Sequence, residues 1–402
     1  METSLSETPG PRAEAGRLGE LAVLFLKLGC VAFGGPAAHI AMLEDEVVER
    51  RRWLSRQHFL DLIGATNLVP GPNSTEMTMH IGYERAGWLG LLVAGACFIG
   101  PAVLITGALG WAYIAYGSLP EVEPFLYGIK PAVLAVIAGA LWKLGTKAIT
   151  GWKLAALAVA VTVAVLLGVG EVWALLAGGL VGALALRASA PTAVAASGVV
   201  PYGALHAGTA VAASGALAGS AAVSLGALFL FFLKVGAVLY GSGYVLVAFL
   251  EGGLVDDLGW LTQGQLLDAI AIGQFTPGPV LSTATFVGAV VGAEGGLSPV
   301  AGAAVATLGI FLPSFLFVGV LNPLVPRLRQ SAWLSAFLDA VNASAVALMA
   351  AVTLQVGTDV LVSWPAVVIA VASAVAVLRF RASAVWIVLG GAGLGWALSA
   401  WA

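Results

Sequence analysis

Apolar segments of about 20 residues recur along the whole chain, and they do not alternate polar and apolar positions. Segments of this length predict helices that cross the hydrocarbon core of a membrane, whereas the strands of an outer-membrane barrel would alternate. Six segments lie in each half, at residues 20–43, 58–82, 86–117, 127–148, 153–169 and 172–187, and at residues 223–250, 263–292, 297–320, 333–356, 360–378 and 383–401. The pattern predicts an all-α, polytopic membrane protein.

The segments form two predicted domains, a first transmembrane repeat at residues 20–187 and a second at 223–402, preceded by an N-terminal tail at 1–19. Residues 188–222 are rich in Ala, Gly and Ser and contain no Asp, Glu, Lys or Arg. Such a composition is typical of a linker.

The two halves are related by an internal repeat. Adding 207 to a residue number in the first half gives its counterpart in the second, so that Pro70-Gly71-Pro72 matches Pro277-Gly278-Pro279. From residue 25 to residue 72 no gap is needed, and 18 of the 48 residue pairs are identical. This identity indicates a duplication.

Charge predicts the orientation of the two copies. The loop after the first segment carries Arg50, Arg51 and Arg52, whereas the equivalent loop in the second copy carries Asp256 and Asp257. Because Lys and Arg concentrate in cytoplasmic loops, the first loop is predicted inside and the second outside. The repeats are therefore predicted to have inverted topology.

One segment in each repeat is broken at its centre by Pro-Gly-Pro. Proline cannot continue a helix, so each arm has about a dozen residues and a length of roughly 18 Å, about half of the hydrocarbon thickness. Segments 58–82 and 263–292 are therefore predicted to be re-entrant hairpins. Five crossings per repeat remain, which gives about ten transmembrane helices and places both termini outside.

The two breaks form the predicted substrate site, because irregular backbone at membrane depth is tolerated only inside protein or beside a watery cavity. The N–H groups and dipole of the following half-helix suit a tetrahedral oxyanion. Besides the breaks themselves, the predicted site contains Asn67, Asn73, Ser74, Thr75, Gln274 and Ser282, with Gly34, Gly35, Gly241 and Ser242 at a second pair of breaks. The alternatives are a simple kink with locally bonded hydroxyls, and helix packing at the second breaks.

Ionisable residues inside apolar segments suggest further roles. Lys27 and Lys234 are equivalent in the repeat and are candidates for neutralising a bound dianion, or else they snorkel to the interface. Glu76 and His80 lie one helical turn apart and suit a proton relay, the alternative being a buried pair with nearby Arg85.

Two aspartates occupy equivalent positions near the start of the hairpins. Asp61 and Asp268 follow Ser55 and Thr262, which are the predicted N-caps of these helices. Both aspartates are expected to compensate the helix dipole.

Composition narrows the function. Charged residues make up 10% of the chain, apolar residues 60%, and the net charge is −3. These values exclude a soluble globular enzyme and give no basic surface for nucleic acid. No Ser/His/Asp spacing, paired metal ligands or Walker-type loop is present, so we expect no enzyme activity, metal or other cofactor. The expected partners are a small inorganic oxyanion and the lipid bilayer, and a homodimer is left open.

Five motifs together point to a family. The first repeat carries Phe33-Gly34-Gly35-Pro36, Pro70-Gly71-Pro72-Asn73-Ser74-Thr75-Glu76 and His80-Ile81-Gly82-Tyr83, and the second carries Tyr240-Gly241-Ser242-Gly243 and Thr276-Pro277-Gly278-Pro279-Val280. Nearly the whole chain resembles the long, two-domain form of the chromate ion transporter family. The resemblance implies chromate export and chromate resistance, driven by the membrane potential or a proton gradient, with sulfate as a similar ligand. It also implies a multi-pass protein of the bacterial inner membrane.

Two function classes fit the residues themselves. One is a secondary transporter of a tetrahedral dianion, and the other is a translocase for a phosphorylated lipid carrier. A lipid headgroup would need basic clusters at both ends of an open groove, and Arg50 to Arg56 supply such a cluster at the inner end alone. The charge pattern therefore favours a small ion.

Overall fold

The described part of the chain folds into helices, and most of the connections described between them are short. The structure, a computed structural model, describes residues 11–33, 35–187, 222–241, 243–321 and 331–398. Gly34, Ser242 and the linker up to residue 221 lie outside the described residues. The α-helices are α1 (Pro11–Val31), α2 (Pro36–Glu44), α3 (Arg56–Thr66), α4 (Asn73–Tyr116), α5 (Glu123–Ala148), α6 (Trp152–Leu166), α7 (Glu171–Arg187), α8 (Leu225–Val238), α9 (Leu246–Leu250), α10 (Gln263–Phe275), α11 (Thr283–Glu294), α12 (Pro299–Leu321), α13 (Ala332–Val360), α14 (Trp364–Leu378) and α15 (Ala384–Leu398).

The helices have the length and surface expected in a bilayer. Within the described ranges, four are long and apolar enough to cross a membrane, namely α4, α5, α12 and α13, and five shorter ones are also apolar, namely α6, α8, α11, α14 and α15. Large apolar side chains such as Leu104, Trp142 and Trp152 are exposed on the outer surface. A surface of this kind suits lipid rather than water. The chain is an all-helical, multi-pass membrane protein, as the sequence predicts.

Helix α4 is two helices joined by a sharp turn. A straight helix of 44 residues would be about 66 Å long, twice the hydrocarbon thickness. Ala86 and Gly87 have non-helical backbone angles, and Gly87 has a φ of +59°. The two arms fold back on each other so closely that a Cβ on Gly82 would overlap the Gly90 carbonyl. The first arm therefore belongs to the hairpin of the first Pro-Gly-Pro break.

The predicted breaks and N-caps of the hairpins are present. Helix α3 ends at Thr66 and α4 begins at Asn73, so the chain between them, including Pro70-Gly71-Pro72, is non-helical. Helix α10 likewise ends at Phe275, before the second break. The Ser55 hydroxyl caps α3, and the Thr262 hydroxyl caps α10 in a capping box with Gln265.

The same close helix contacts recur in both halves. A Cβ on Gly29 of α1 would overlap the Phe98 carbonyl of α4, and a Cβ on Gly236 of α8 would overlap the Ile310 carbonyl of α12. Gly29 and Gly236 are equivalent residues of the repeat. Small residues at these positions allow the backbones of two helices to approach, as is common in membranes.

The helices form two packed groups. In the first, here called the tip group, α1 and α3 pack on α4, α8 packs on α12, α10 packs on α11, and α4 contacts both α11 and α12. In the second, here called the flank group, α13 packs on α5, α6 and α7, while α5 also packs on α14 and α15. Each group contains helices from both halves of the chain. The two groups meet where α10 contacts α5.

Candidate functional site

A cavity of about 1050 Å³ lies between the tip group and the flank group. From the tip group it is lined by residues that include Asn67, Asn73 and Gln274, and from the flank group by residues that include Lys143 and Asn342. A polar cavity at the meeting point of two helix groups is a common place for a ligand site in a helical protein.

Each of the two Pro-Gly-Pro tips is hydrogen-bonded to the other repeat. The Gly71 N–H donates a hydrogen bond to the Leu239 carbonyl (2.7 Å), and the Gly278 N–H donates one to the Ala32 carbonyl (2.9 Å). Ala32 and Leu239 are also related by the shift of 207. The glycine N–H of each tip thus bonds to the carbonyl that follows the first helix of the other repeat. These two bonds bring the two breaks close together.

Amide side chains near the breaks face the cavity. The Asn73 amide Nδ2 donates to Asn67 Oδ1 (2.8 Å), and both residues line the cavity. Gln274, the counterpart of Asn67, lines it from the second repeat, and its Nε2 has no hydrogen-bond partner among the described residues. The amide side chains of Asn67, Asn73 and Gln274 are therefore brought together at one cavity.

The predicted hydroxyl ligands lie inside the protein instead. Ser74, Thr75 and Ser282 are buried, and none of them lines the cavity. The Ser74 hydroxyl is 3.1 Å from His39 Nδ1, and His39 Nε2 is 3.0 Å from the Ala32 carbonyl. Because that carbonyl only accepts, Nε2 donates and Nδ1 accepts from Ser74 if His39 is neutral. His39, which the sequence analysis missed, thus connects the first tip to the end of α1.

The predicted proton-relay residues are also enclosed. Glu76 and His80 lie on the first arm of α4 and are completely buried. Both carboxylate oxygens of Glu76 lack a hydrogen-bond partner among the described residues, as does the Ser314 hydroxyl. A Cβ on Gly71 would overlap both groups. The carboxyl group of Glu76 therefore lies directly behind the first tip.

The repeated lysines do not line the cavity. Lys27 Nζ is 2.9 Å from Glu46 Oε1, and the Lys27 side chain is 56% exposed. The hydrogen bond from Lys27, together with that from Arg51, holds the pKa of the Glu46 carboxyl below its usual value. Lys234 is exposed, with Nζ 5.8 Å from the centre of the Phe231 ring. This geometry fits the alternative of interfacial lysines.

Other basic residues line the cavity. Lys143 and Lys147 lie one turn apart at the end of α5, and Arg381 lies between α14 and α15 with a φ of +54°. The sequence analysis did not assign them to the site. Periodicity does not show which side of a helix faces a cavity, so no sequence signal separates them from other interfacial lysines.

The glycines at the second pair of breaks also line the cavity. Gly35 (φ +79°) and Gly241 (φ +94°) have backbone angles that other residues rarely adopt, and both line the cavity with Gly278. Gly34 and Ser242 lie outside the described residues.

Pro72 of the first tip immediately precedes α4. Its carbonyl accepts hydrogen bonds from the N–H groups of Thr75 and Glu76.

Two repeated halves of apolar helices, two non-helical tips and a cavity lined by both halves are features of membrane transporters. Comparison with known proteins identifies the family. Residues 19–183 and 226–396 match the family model described as chromate transporter. The chain belongs to this family, and the resemblance found in the motifs is confirmed.

Individual relatives agree with the family match. The chain is 36% identical over 346 residues to the chromate transport protein of Pseudomonas aeruginosa, covering 84% of this chain and 80% of the relative. It is 31% identical over 382 residues to the chromate transport protein of Cupriavidus metallidurans, covering 94% and 92%. It is 32% identical over 352 residues to a probable chromate transport protein of Synechococcus elongatus, covering 87% and 86%. No solved structure gives a significant match.

Proposed function

We propose that this protein exports chromate across the bacterial cytoplasmic membrane and binds sulfate as an analogue. The observation that carries the proposal is a cavity to which both Pro-Gly-Pro regions contribute, through Asn73 and Gly278. The names of the relatives support chromate as the substrate. Sulfate has the same charge and tetrahedral shape, so a site made of amides and helix N-termini would accept both.

The proposed site holds the dianion mainly by hydrogen bonds and helix dipoles. Asn67, Asn73 and Gln274 supply amide N–H groups, and the first two N–H groups of α4 precede those that donate to the Pro72 carbonyl. Helix N-termini at broken transporter helices bind anions in this way. Because Lys27 is already paired with Glu46, charge compensation comes from the basic residues that line the cavity, here called its mouth: Lys143, Lys147 and Arg381.

The proposed direction of transport rests on the side of the membrane at which the basic mouth of the cavity lies. Lys143, Lys147 and Arg381 belong to ends of helices that the positive-inside tendency assigns to the cytoplasm. A basic opening on that side would collect dianions from the cytoplasm. This arrangement suits an exporter in its inward-facing state.

The proposed topology is the inverted repeat of the sequence analysis, with about ten crossings and two re-entrant hairpins. Its support is the matched geometry of the halves, in which equivalent residues make equivalent contacts. Two examples are the Gly29 and Gly236 packing contacts and the paired bonds of the tip glycines.

The proposed driving forces are the membrane potential and the proton gradient. A potential of 100 mV, negative inside, favours the exit of a dianion by about 4.6 kcal/mol, because each charge contributes about 2.3 kcal/mol. Glu76 and His80 are candidates for proton coupling at the first tip, since a carboxyl group behind a bound dianion changes the local charge when it gains or loses a proton.

The test is flux of radiolabelled chromate and sulfate in proteoliposomes that contain the purified protein, with voltage and pH gradients imposed separately. The proposal expects saturable chromate exchange that unlabelled sulfate inhibits, and net flux that responds to both gradients. A protein that exchanges neither anion, although it is folded and inserted, would contradict the proposal.

A further inference from the structure

A second cavity of about 460 Å³ lies beside the first turns of α10. From the α10 region it is lined by Thr262, Gln265 and Asp268, among others, and from α4 and α5 by Tyr113 and Lys130. The last turn of α10 lines the large cavity through Gly273 and Gln274. One short helix therefore reaches from one cavity to the other.

Asp268 is buried against this second cavity and is only 3% exposed. Its Oδ2 accepts a hydrogen bond from the Tyr113 hydroxyl (2.8 Å), whereas its Oδ1 has no hydrogen-bond partner among the described residues. Lys130 lies close enough to attract the carboxylate. The helix dipole acts mainly within the first turn, and Asp268 lies beyond it, so dipole compensation does not explain this burial.

We propose, on the basis of the transport function above, that Asp268 is the outer proton-binding group in the exchange with chromate, in addition to the candidates Glu76 and His80 at the first tip, and that the second cavity gives this proton access from the outer side. A proton from water adds to Oδ1, and the carboxylate becomes a neutral carboxyl group. Tyr113 keeps its own proton.

A proton fits this site better than a metal cation. Lys130 would repel a divalent metal ion, whereas binding of a single proton only removes the attraction between Lys130 and the carboxylate, which is a smaller electrostatic change. Asp268 is the single carboxylate that is buried at the cavity, because Glu123 is exposed. Within the described part of the chain, no cluster of three or more His, Cys, Asp or Glu residues could hold a metal ion.

Several ionisable side chains lie on the elements that pack against α10. These side chains are Tyr113 of α4, Glu123, Tyr127 and Lys130 of α5, Glu294 of α11, and Glu251, Asp256 and Asp257 of the π-helical segment Glu251–Asp257. Of these groups, Lys130 and Tyr113 act on the Asp268 carboxylate. The sequences of α9, α10 and α15 add no other ionisable side chain.

The Tyr113–Asp268 hydrogen bond explains how the proton would influence the chromate cavity. It joins α4 of the first repeat to α10 of the second. A hydrogen bond to an ionised carboxylate is roughly twice as strong as one between neutral groups, so protonation weakens this link. Helix α10, which Thr262 caps at its start, then moves as a unit and carries Gln274 with it.

The test measures chromate accumulation in proteoliposomes with the voltage clamped at zero and an acidic lumen. For one coupled proton, a gradient of about one pH unit raises the accumulation ratio about tenfold in the wild type. We expect Asp268→Asn to abolish this rise, whereas chromate exchange at equal pH persists. Asp61→Asn, the equivalent substitution in the first repeat, is the matched control and should keep the full rise.

A second variant keeps the proposal testable if Asp268→Asn fails to fold. Lys130→Met removes the positive charge and retains the carboxyl group, so the pH at which flux is half-maximal should move upward. A normal pH-driven rise in Asp268→Asn, or an unshifted pH profile in Lys130→Met, would overturn the proposal. Absence of any chromate exchange in the wild type would instead refute the proposed transport function.

Discussion

Gly71 lies where the first tip passes the buried Glu76 carboxyl group, and its backbone has a φ of +141°. Two effects disfavour a side chain at this position, namely backbone strain and overlap with the side chains of Glu76 and Ser314. Gly278 combines a φ of +91° with close approach to the Ala102 side chain in the same way. Single residues thus decide whether the tips can meet.

Gly71→Ala should destabilise the protein by about 2 to 6 kcal/mol, since strained backbone costs about 1 to 3 kcal/mol and overpacking costs a similar amount. Thermal unfolding in detergent measures the change. Gly87→Ala is the matched control, because Gly87 also has a positive φ but has open space around its Cβ position. Equal losses in both variants would show that overlap at the first tip is unimportant.

Gln274→Leu should raise the chromate concentration for half-maximal flux by about 10- to 150-fold, because a hydrogen bond to a charged ligand contributes about 1.5 to 3 kcal/mol. Gln355→Leu, on a helix position that does not line the cavity, is the control.

Ser74→Ala should instead leave the chromate concentration for half-maximal flux unchanged and lower the free energy of unfolding by about 1 kcal/mol, because Ser74 bonds to His39. The reverse result for Gln274 and Ser74 would place the hydroxyls, not the amides, at the ligand.

At the scale of the element, short helices with non-helical ends bring the site together. Helices α3 and α10 stop before their Pro-Gly-Pro breaks, and the arms that follow pack against long helices through glycines. The end of α5 contributes differently, because Lys143 and Lys147 lie on one face and extend the cavity toward its mouth. Basic groups at a helix C-terminus are also favoured by the helix dipole.

Replacing both Lys143 and Lys147 by Gln should slow chromate flux severalfold at low ionic strength, because the mouth loses its attraction for dianions. The difference from the wild type should shrink as salt is added, since the Debye length falls from about 30 Å at 0.01 M to about 8 Å at 0.15 M. Lys153→Gln, on the neighbouring helix α6 and outside the cavity, is the matched control. A salt-independent defect would indicate a structural role for the two lysines.

At the scale of the whole molecule, the two halves are intertwined rather than side by side. The tip group and the flank group each contain helices of both repeats, and the cavity lies between the groups. Relative movement of two such groups around a fixed ligand is how many secondary transporters alternate their access. The proposed inverted topology predicts such a symmetric arrangement and is directly testable.

Arg50→Cys and Asp257→Cys, made in a background in which Cys30 and Cys97 are replaced by Ser, place thiols at equivalent positions of the two repeats. A membrane-impermeant maleimide added to intact cells should label the Asp257→Cys protein alone, because the two loops are expected on opposite sides. Permeabilised cells provide the control in which both react. Labelling of both thiols in intact cells would contradict the inverted repeat.

The sequence by itself determined the helical membrane class, the duplication, the Pro-Gly-Pro breaks, the N-caps and the family, because hydrophobic length, proline chemistry and repeated motifs are local properties of the chain. The tertiary structure decided which polar side chains face the cavity. Asn73 lines it, whereas Ser74, the next residue, is buried against His39. Lys147 lines it, whereas Lys27 pairs with Glu46. The direction of a side chain depends on how each helix is rotated against partners that are distant in sequence, and only the packing of the two helix groups fixes that rotation.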